Sequence, residues 1–197
     1  IDNFCLGQRE NISTIADNSR FRFIEVEMGN LDEYTKAIKK FKTVQDIREV
    51  WHLAANSDIP AGISDAKVDL KNTFMTTYNT LELMRMFNID VLAFASSSAI
   101  YGDHGNQTLS ENTGPLLPIS NYGAMKLASE AIISAAIESY LKQAFIFRFP
   151  NVIGVPATHG VILDFVRKLK NTPNKLEVFG NGMQKKSYLH VDDLIEA

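Results

Sequence analysis

The sequence predicts an α/β fold in which a parallel sheet is covered by helices. Three observations carry that prediction. Short apolar runs alternate with long amphipathic ones, the amphipathic runs keep their apolar residues on one helical face, and the 197-residue chain is 45% hydrophobic and 22% charged, as ordinary globular proteins are. In chain order the expected strands are residues 21–26 (FRFIEV), 50–54 (VWHLA), 91–96 (VLAFAS) and 144–149 (AFIFRF). The first expected helix, 31–41, places Leu31, Tyr34, Ala37, Ile38 and Phe41 on one face. Longer helices are expected over 68–87 and 122–141, the second capped by Ser120 or Asn121. Residues 102–119, rich in Gly, Pro, Asn and Ser, read as a loop, and loops that long inside a compact domain are usually functional. After Phe149 the rhythm shortens around Pro150, Asn151, Pro156, Gly160 and Pro173. The expected division is a domain over 1–149 and part of a smaller lobe over 150–197.

Composition excludes several classes of function. Twenty basic residues face 23 acidic ones, for a net charge of -3, and no basic block exceeds Lys39-Lys40 or Lys185-Lys186, so neither nucleic acid nor an anionic membrane is an expected partner. The longest apolar stretches, such as 91–95, fall far short of the roughly 20 residues of a membrane-spanning helix. A single cysteine, Cys5, forms no intrachain disulfide, and a reducing, cytoplasmic setting is expected. Four histidines and that cysteine make no metal-ligand spacing, so no metal is expected, and His52 reads as a packed strand residue. The chain opens at Ile1-Asp2-Asn3 without Met or a basic-then-apolar leader and stops at Glu196-Ala197 just as a helix begins, so both ends read as cut.

The chemistry centres on Tyr122 and Lys126. Four residues apart at the start of a helix, they project from one face. An ammonium beside a phenol favours the phenolate, which brings Tyr into the range where it accepts a proton from an alcohol. Such a pair alone is common on solvated helices. Here, however, the strand at 91–96 runs into Ser96-Ser97-Ser98, which puts hydroxyls at the carboxyl end of a central strand, where open α/β sheets bind ligands. Ser96 and Ser98 taken separately read as turn residues that satisfy their own backbone.

Taken in order, these segments resemble the extended short-chain dehydrogenase/reductase superfamily and, within it, the NAD-dependent nucleotide-sugar epimerases and dehydratases. Ile1-Asp2-Asn3 resembles the end of the second strand, Trp51-His52-Leu53-Ala54-Ala55 the "HLAA" strand, and 96–102 (SSSAIYG) the "SSSAVYG" segment. Residues 121–130 (NYGAMKLASE) match "YGxSKxxxE", 148–154 (RFPNVIG) resemble "RxxNVYGP", and 179–193 resemble "GDGxQxRDYIHVDD". The resemblance implies a partial doubly wound, Rossmann-like NAD-binding domain over 1–149 that carries the catalytic residues, and part of a substrate-binding lobe over 150–197. It implies Ser97, Tyr122 and Lys126 as the catalytic set, with Lys126 also holding the nicotinamide ribose. Asp2 falls where an acidic side chain accepts the adenosine ribose hydroxyls, which favours NAD over NADP. Asn3, Glu27, Met28, Leu53, Ala54 and Ala55 complete the implied cofactor contacts, and Ser97, Ser98, Asn151, Phe179 and Lys186 the implied substrate contacts. A homodimer through helices 68–87 and 122–141 is implied as well.

Departures from the pattern shape the expected reaction. The sequence holds no Gly-x-x-Gly-x-x-Gly turn, the usual phosphate cradle at a helix N-terminus. Glu27-Met28 stands for an Asp-apolar pair that usually touches adenine. Thr73 falls where the family usually has Asn, with Asn72 adjacent. Lys186 replaces an Arg, keeping charge but losing the bidentate fork, and Ser187 replaces an Asp. Dehydratases of the family place an acid directly after the catalytic Ser/Thr, where this chain has Ser98 and Ala99. The leading expectation is therefore C4 epimerisation of a nucleotide sugar of the UDP-glucose/UDP-galactose type. The alternatives are another reaction of the same family, a dehydratase, decarboxylase or reductase, and, from a different class, a non-catalytic dinucleotide-binding sensor.

Overall fold

After a 3₁₀ turn at Arg9–Ile12 comes a helix of one amphipathic face: α1 (Leu31–Lys42) turns Tyr34 and Ile38 inward, and Asn30 receives the Asp32 and Glu33 amides at its start. The computed structural model describes residues 1–42, 46–56, 58–157 and 160–197. Next come β1 (Glu49–His52), the short helices α2 (Ile59–Ser64) and α3 (Ala66–Asp69), a π-helical turn over Leu70–Met75, and α4 (Thr76–Phe87). Asn88 ends α4 in the left-handed region at φ 53°, a conformation that Asn tolerates better than most residues. Strand β2 (Val91–Ser97) follows, then a 3₁₀ turn over Ser98–Ile100, the 102–119 loop, α5 (Asn121–Ile137) and β3 (Gln143–Phe149). The three strands are parallel in the order β1-β2-β3, with His52 opposite Phe94 and Ser96 opposite Arg148.

Alternation along the strands decides the core. Leu92 and Phe94 point to the face covered by α4 and α5, where they meet Leu81, Met84, Ile133 and Ala136, with Val50, Ala144 and Ile146 packed alongside. The opposite alternation carries Trp51, Phe145, Phe147 and Phe149, a ladder of stacked rings 5.7–6.5 Å apart in which Trp51 is 64% exposed.

Three expected elements come out differently. Residues 21–26 make only a single parallel bridge, Asp2 with Glu25, closed by Asp2 N to Ile24 O (3.3 Å) and Val26 N to Asp2 O (3.1 Å). Just past the bridge Phe4 turns at φ 53° and stacks on Phe23. The helix expected over 68–87 is interrupted by the π turn. That turn buries Thr73 and leaves Asn72 partly exposed, so Thr73 occupies the inner position. The expected helix over 122–141 stops at Ile137, where the Ala136 carbonyl receives the amides of Ser139, Tyr140 and Leu141.

The chain divides into two compact units, Ile1–Phe149 and Pro150–Ala197. In the second, β4 (Asn151–Ile153) pairs in parallel with β5 (Tyr188–His190), α7 (Val191–Glu196) continues from β5, and α6 (Val161–Asn171) lies between the strands in sequence. No helix among the described residues is long and apolar enough to cross a membrane.

Candidate active site

Tyr122 and Lys126 reach the carboxyl end of β2 because α5 begins there. The Ser120 hydroxyl caps the helix by accepting the Gly123 amide at 3.1 Å. Gly123 is buried, and a Cβ on it would stand 2.5 Å from the Ala99 carbonyl oxygen, so the absence of a side chain lets α5 approach the 98–100 turn. At the end of β2 the Ser97 hydroxyl accepts the Ala99 amide at 3.2 Å and stands near enough to the Tyr122 phenol to favour its ionised form.

Lys126 is 1% exposed, with Nζ donating to the Ala95 carbonyl at 2.5 Å, over the Phe94 ring at 4.6 Å and 5.9 Å from the centre of the Tyr122 ring. Burial pushes its ammonium down to about 8, with Glu130 pulling the other way. The phenol differs from the expectation that Lys126 depresses it. Burial raises the Tyr122 pKa, the Ser97 hydroxyl offsets this only in part, and the Asp69 charge adds to the rise. Asp69 is itself buried, held by Asn56 Nδ2 at 2.8 Å and pressed against Gly62, whose carbonyl accepts Asn121 Nδ2 at 2.9 Å.

Behind the site lies a polar layer that sequence reading did not resolve. Glu130, one turn beyond Lys126 on α5, accepts the Ser96 hydroxyl and is paired with Arg148 through Nη2 at 2.8 Å and Nε at 3.1 Å. Hydrogen bonds to Glu130 hold the Arg148 guanidinium firmly protonated despite its burial. The available signal was a charged residue inside the apolar run FIFRF, set opposite a hydroxyl in the neighbouring strand. His52 is fully buried, with Nε2 3.1 Å from Thr77 Oγ1 and its ring stacked on Phe94, while Nδ1 has no partner among the described residues. Burial drives its pKa down to about 3, helped by Lys126, so the imidazole is neutral.

Of the residues expected at a dinucleotide, Leu53, Ala54 and Ala55 follow the carboxyl end of β1, and Asp2, Asn3, Glu27 and Met28 lie around the Asp2–Glu25 bridge. Asp2 is exposed beside its bridge, and one carboxylate oxygen accepts the Phe4 amide at 2.6 Å. Burial favours the neutral Glu27 carboxyl, but hydrogen bonds from Gly29 N, Lys71 and Asn3, together with the Lys71 charge, hold its pKa below the ordinary value. Met28 packs in the core, and its carbonyl accepts Asn79 Nδ2 at 2.8 Å. Leu53 is exposed just past β1, and Ala54 and Ala55 present only methyl groups there. Carboxylates able to accept ribose hydroxyls, small side chains beyond a strand end and a buried ammonium are groups that suit a dinucleotide. Ser98, partly buried, starts the 3₁₀ turn. In the second unit Asn151 Nδ2 donates to the Ser187 carbonyl at 3.1 Å, the Phe179 ring lies 4.3 Å from Lys168 Nζ, and Lys186 is exposed. Among the described residues no group of three His, Cys, Asp or Glu side chains is arranged to hold a metal ion.

A Rossmann-type parallel sheet with Ser, Tyr and Lys gathered at its carboxyl edge defines the short-chain dehydrogenase/reductase class. Within that class the chain belongs to the NAD dependent epimerase/dehydratase family, whose sequence model matches residues 4–197. A UDP-glucose 4-epimerase of Lacticaseibacillus casei is 28% identical over 214 residues, covering 100% of this chain and 61% of that protein. A dTDP-glucose 4,6-dehydratase of Mycolicibacterium smegmatis is 28% identical over 192 residues, covering 95% and 54%. The crystal structure of the Thermus thermophilus UDP-glucose 4-epimerase complex with NAD superposes with a TM-score of 0.82 at 29% identity, covering 99% of this chain and 63% of that one. The chain spans 54% to 62% of the length of the curated relatives it matches.

Proposed function

We propose that the whole protein is an NAD-dependent nucleotide-sugar epimerase, which inverts C4 of a sugar of the UDP-glucose/UDP-galactose type through a 4-keto form of the sugar. The observation that carries this reading is the meeting of Ser97, Tyr122 and Lys126 at the carboxyl end of β2, with no carboxylate at Ser98 or Ala99. Bound NAD would supply a reversible hydride acceptor for C4. Ser97 holds the C4 oxygen. Tyr122 first gives its own proton to solvent, which the positive nicotinamide ring of bound NAD would favour, and as the phenolate it takes the C4 hydroxyl proton in the forward half and gives it back in the return half. Ser97 favours the ionised phenol that accepts the sugar's proton, and burial favours the neutral phenol that holds it until the return half. Lys126 holds the nicotinamide ribose, Asp2 the adenosine ribose, and Asn3, Glu27, Met28, Leu53, Ala54 and Ala55 the remaining cofactor edge. Ser98, Asn151, Phe179 and Lys186 hold the sugar nucleotide, with residues 1–149 serving the cofactor and 150–197 part of the substrate lobe.

Elimination of water needs an acid placed after Ser97. The buried carboxylates packed around α5 are committed elsewhere, Asp69 to Asn56 and Glu130 to Ser96 and Arg148. This favours epimerisation over dehydration, although relatives of both kinds share the same identity with the chain. The 197 residues carry no glycine-rich phosphate turn, so by themselves they are expected to bind NAD weakly and to be inactive; micromolar affinity in a calorimetric titration would overturn that point. A cytoplasmic homodimer through α4 and α5 completes the proposal, with exposed Tyr78, Met86 and Ile137 toward the second copy, and light scattering reads the mass.

The test of the reaction incubates the whole protein with UDP-galactose, separates the products and follows NADH absorbance. UDP-glucose formed with no net NADH is the expected result. Stoichiometric NADH points to a dehydrogenase and a 4-keto-6-deoxy product to a dehydratase. NAD binding without turnover points to a dinucleotide-binding sensor.

A further inference from the structure

The Ser96 hydroxyl, the Glu130 carboxylate and the Arg148 guanidinium meet where β2, β3 and α5 come together. Ser96 and Arg148 are partners in the β2–β3 register, so both side chains leave the sheet toward α5, where Glu130 waits one turn beyond Lys126. Ser96 donates to Glu130 Oε1, and Arg148 holds the same carboxylate with two nitrogens, Nε at 3.1 Å and Nη2 at 2.8 Å. The remaining fork of Arg148 leaves the sheet. Nη1 donates to the Tyr101 hydroxyl at 3.2 Å and to the Glu111 carbonyl at 2.8 Å, and its guanidinium lies 5.3 Å from the centre of the Tyr101 ring. One side chain thus ties a strand end, a catalytic helix and the long 102–119 loop.

A buried ion pair is weak evidence of stability, because desolvation offsets most of its Coulomb attraction. What this one does is fix geometry. With the Ser96 hydroxyl held on the α5 side, the pleat of β2 is set, and so is the direction in which Ser97 leaves the next position. Glu130 shares a helix face with Tyr122 and Lys126, so the same contact sets the height of α5 against the strand end. We propose that Glu130 and Arg148 are positioning residues, a brace that holds Ser97 in register with Tyr122 and ties the 102–119 loop down beside the site. The proposal rests on the epimerase reading for its kinetic consequence and on the contacts alone for its structural one.

The experiment has two arms in the whole protein. Arg148→Lys keeps the charge but loses the planar fork that reaches Glu130, Tyr101 and Glu111 at once. Its kcat on UDP-galactose is expected to fall roughly 10- to 100-fold, the scale of a small misplacement, with KM nearly unchanged. Combined with Ser97→Ala, the same substitution should cost almost nothing further, since the brace acts through Ser97. Full additivity, or a loss confined to KM, would overturn the proposal. The second arm needs no turnover. Hydrogen exchange at the amides of 97–113 is expected to quicken by about tenfold in Arg148→Lys and to a lesser degree in Ser96→Ala, a change small enough to fold. If the wild-type protein turns over no nucleotide sugar, the functional reading fails and the exchange arm alone decides. Unchanged exchange in both variants overturns the brace.

Discussion

At the scale of single residues, burial outweighs neighbouring charge in setting protonation. Tyr122 keeps its proton at neutral pH because desolvation exceeds the help it receives from Ser97. Tyr122→Phe should therefore leave folding nearly untouched while lowering turnover by roughly 10²- to 10⁴-fold, the range for a lost acid/base group; steady-state kinetics beside a thermal melt checks both halves. His52 supplies a prediction that needs no activity. Its neutral form is favoured in the fold, with a pKa of about 3 against an ordinary 6.5. Above pH 6.5 both folded and unfolded chains are neutral there, and nothing changes. As pH falls below 6.5 the unfolded chain takes up a proton that the folded chain refuses, so stability drops by about 1.4 kcal/mol per unit until pH 3. His52→Gln, which keeps a donor toward Thr77, should remove this acid dependence, and the gap in denaturant stability between the two proteins should narrow by roughly 2–3 kcal/mol from pH 6.5 to 4.5. An unchanged gap would mean that His52 is not buried in neutral form.

At the scale of elements, α5 carries the site, and its first turn decides where the site stands. The Ser120 cap and the bare Gly123 are independent devices, one satisfying an end amide and the other allowing close approach to Ala99. Ser120→Ala is expected to cost about 1 kcal/mol in urea unfolding. Gly123→Ala is expected to cost about 1–3 kcal/mol, because the new methyl must displace either the helix or the 98–100 turn, and to lower kcat as Tyr122 moves with the helix. A neutral Gly123→Ala would show that the approach of α5 is not tight. The π turn over Leu70–Met75 has a comparable local consequence. It turns Thr73 inward, where its hydroxyl accepts the Asn56 amide at 3.0 Å and its carbonyl accepts the Thr77 hydroxyl, leading on to His52.

For the whole molecule, the buried Lys126 links stability to pH on the alkaline side. Its pKa is about 8 in the fold against an ordinary 10.5, so folding disfavours its charged form. Below pH 8 both states are charged and the penalty is complete. Between pH 8 and about 10 the folded chain sheds the proton first, and the penalty lifts as pH rises. Relative to Lys126→Met, the wild-type protein should gain about 2–3 kcal/mol over that interval, measured by denaturant unfolding at fixed salt. The buried tyrosines act in the opposite sense but only above about pH 10, because Tyr34, Tyr122 and Tyr140 are all raised from the ordinary value and remain neutral until then. A constant difference between the two proteins from pH 8 to 10 would contradict the burial of the ammonium.

The sequence by itself determined the kinds of element and their order. Strands β2 and β3, helix α1 and the start of α5 fall where apolar periodicity and the Ser120 cap place them, and the four-residue spacing of Tyr122 and Lys126 is a local property of any helix. The residue types at the carboxyl edge were legible for the same reason, since short motifs lie within a few residues of one another. Tertiary structure alone decided what depends on distant segments. Residues 21–26 meet Asp2 in a single bridge, since a strand is made only by pairing with another segment. Tyr122 stayed protonated and Lys126 lost basicity because β2, α3 and the turn after β2 close around them, against the expectation that charge at four-residue spacing would govern. Glu130 meets Arg148 across 18 residues and His52 meets Thr77 across 25, and no local pattern encodes either contact. Periodicity is written in neighbours along the chain, whereas pairing and desolvation arise only when segments far apart in sequence are brought together.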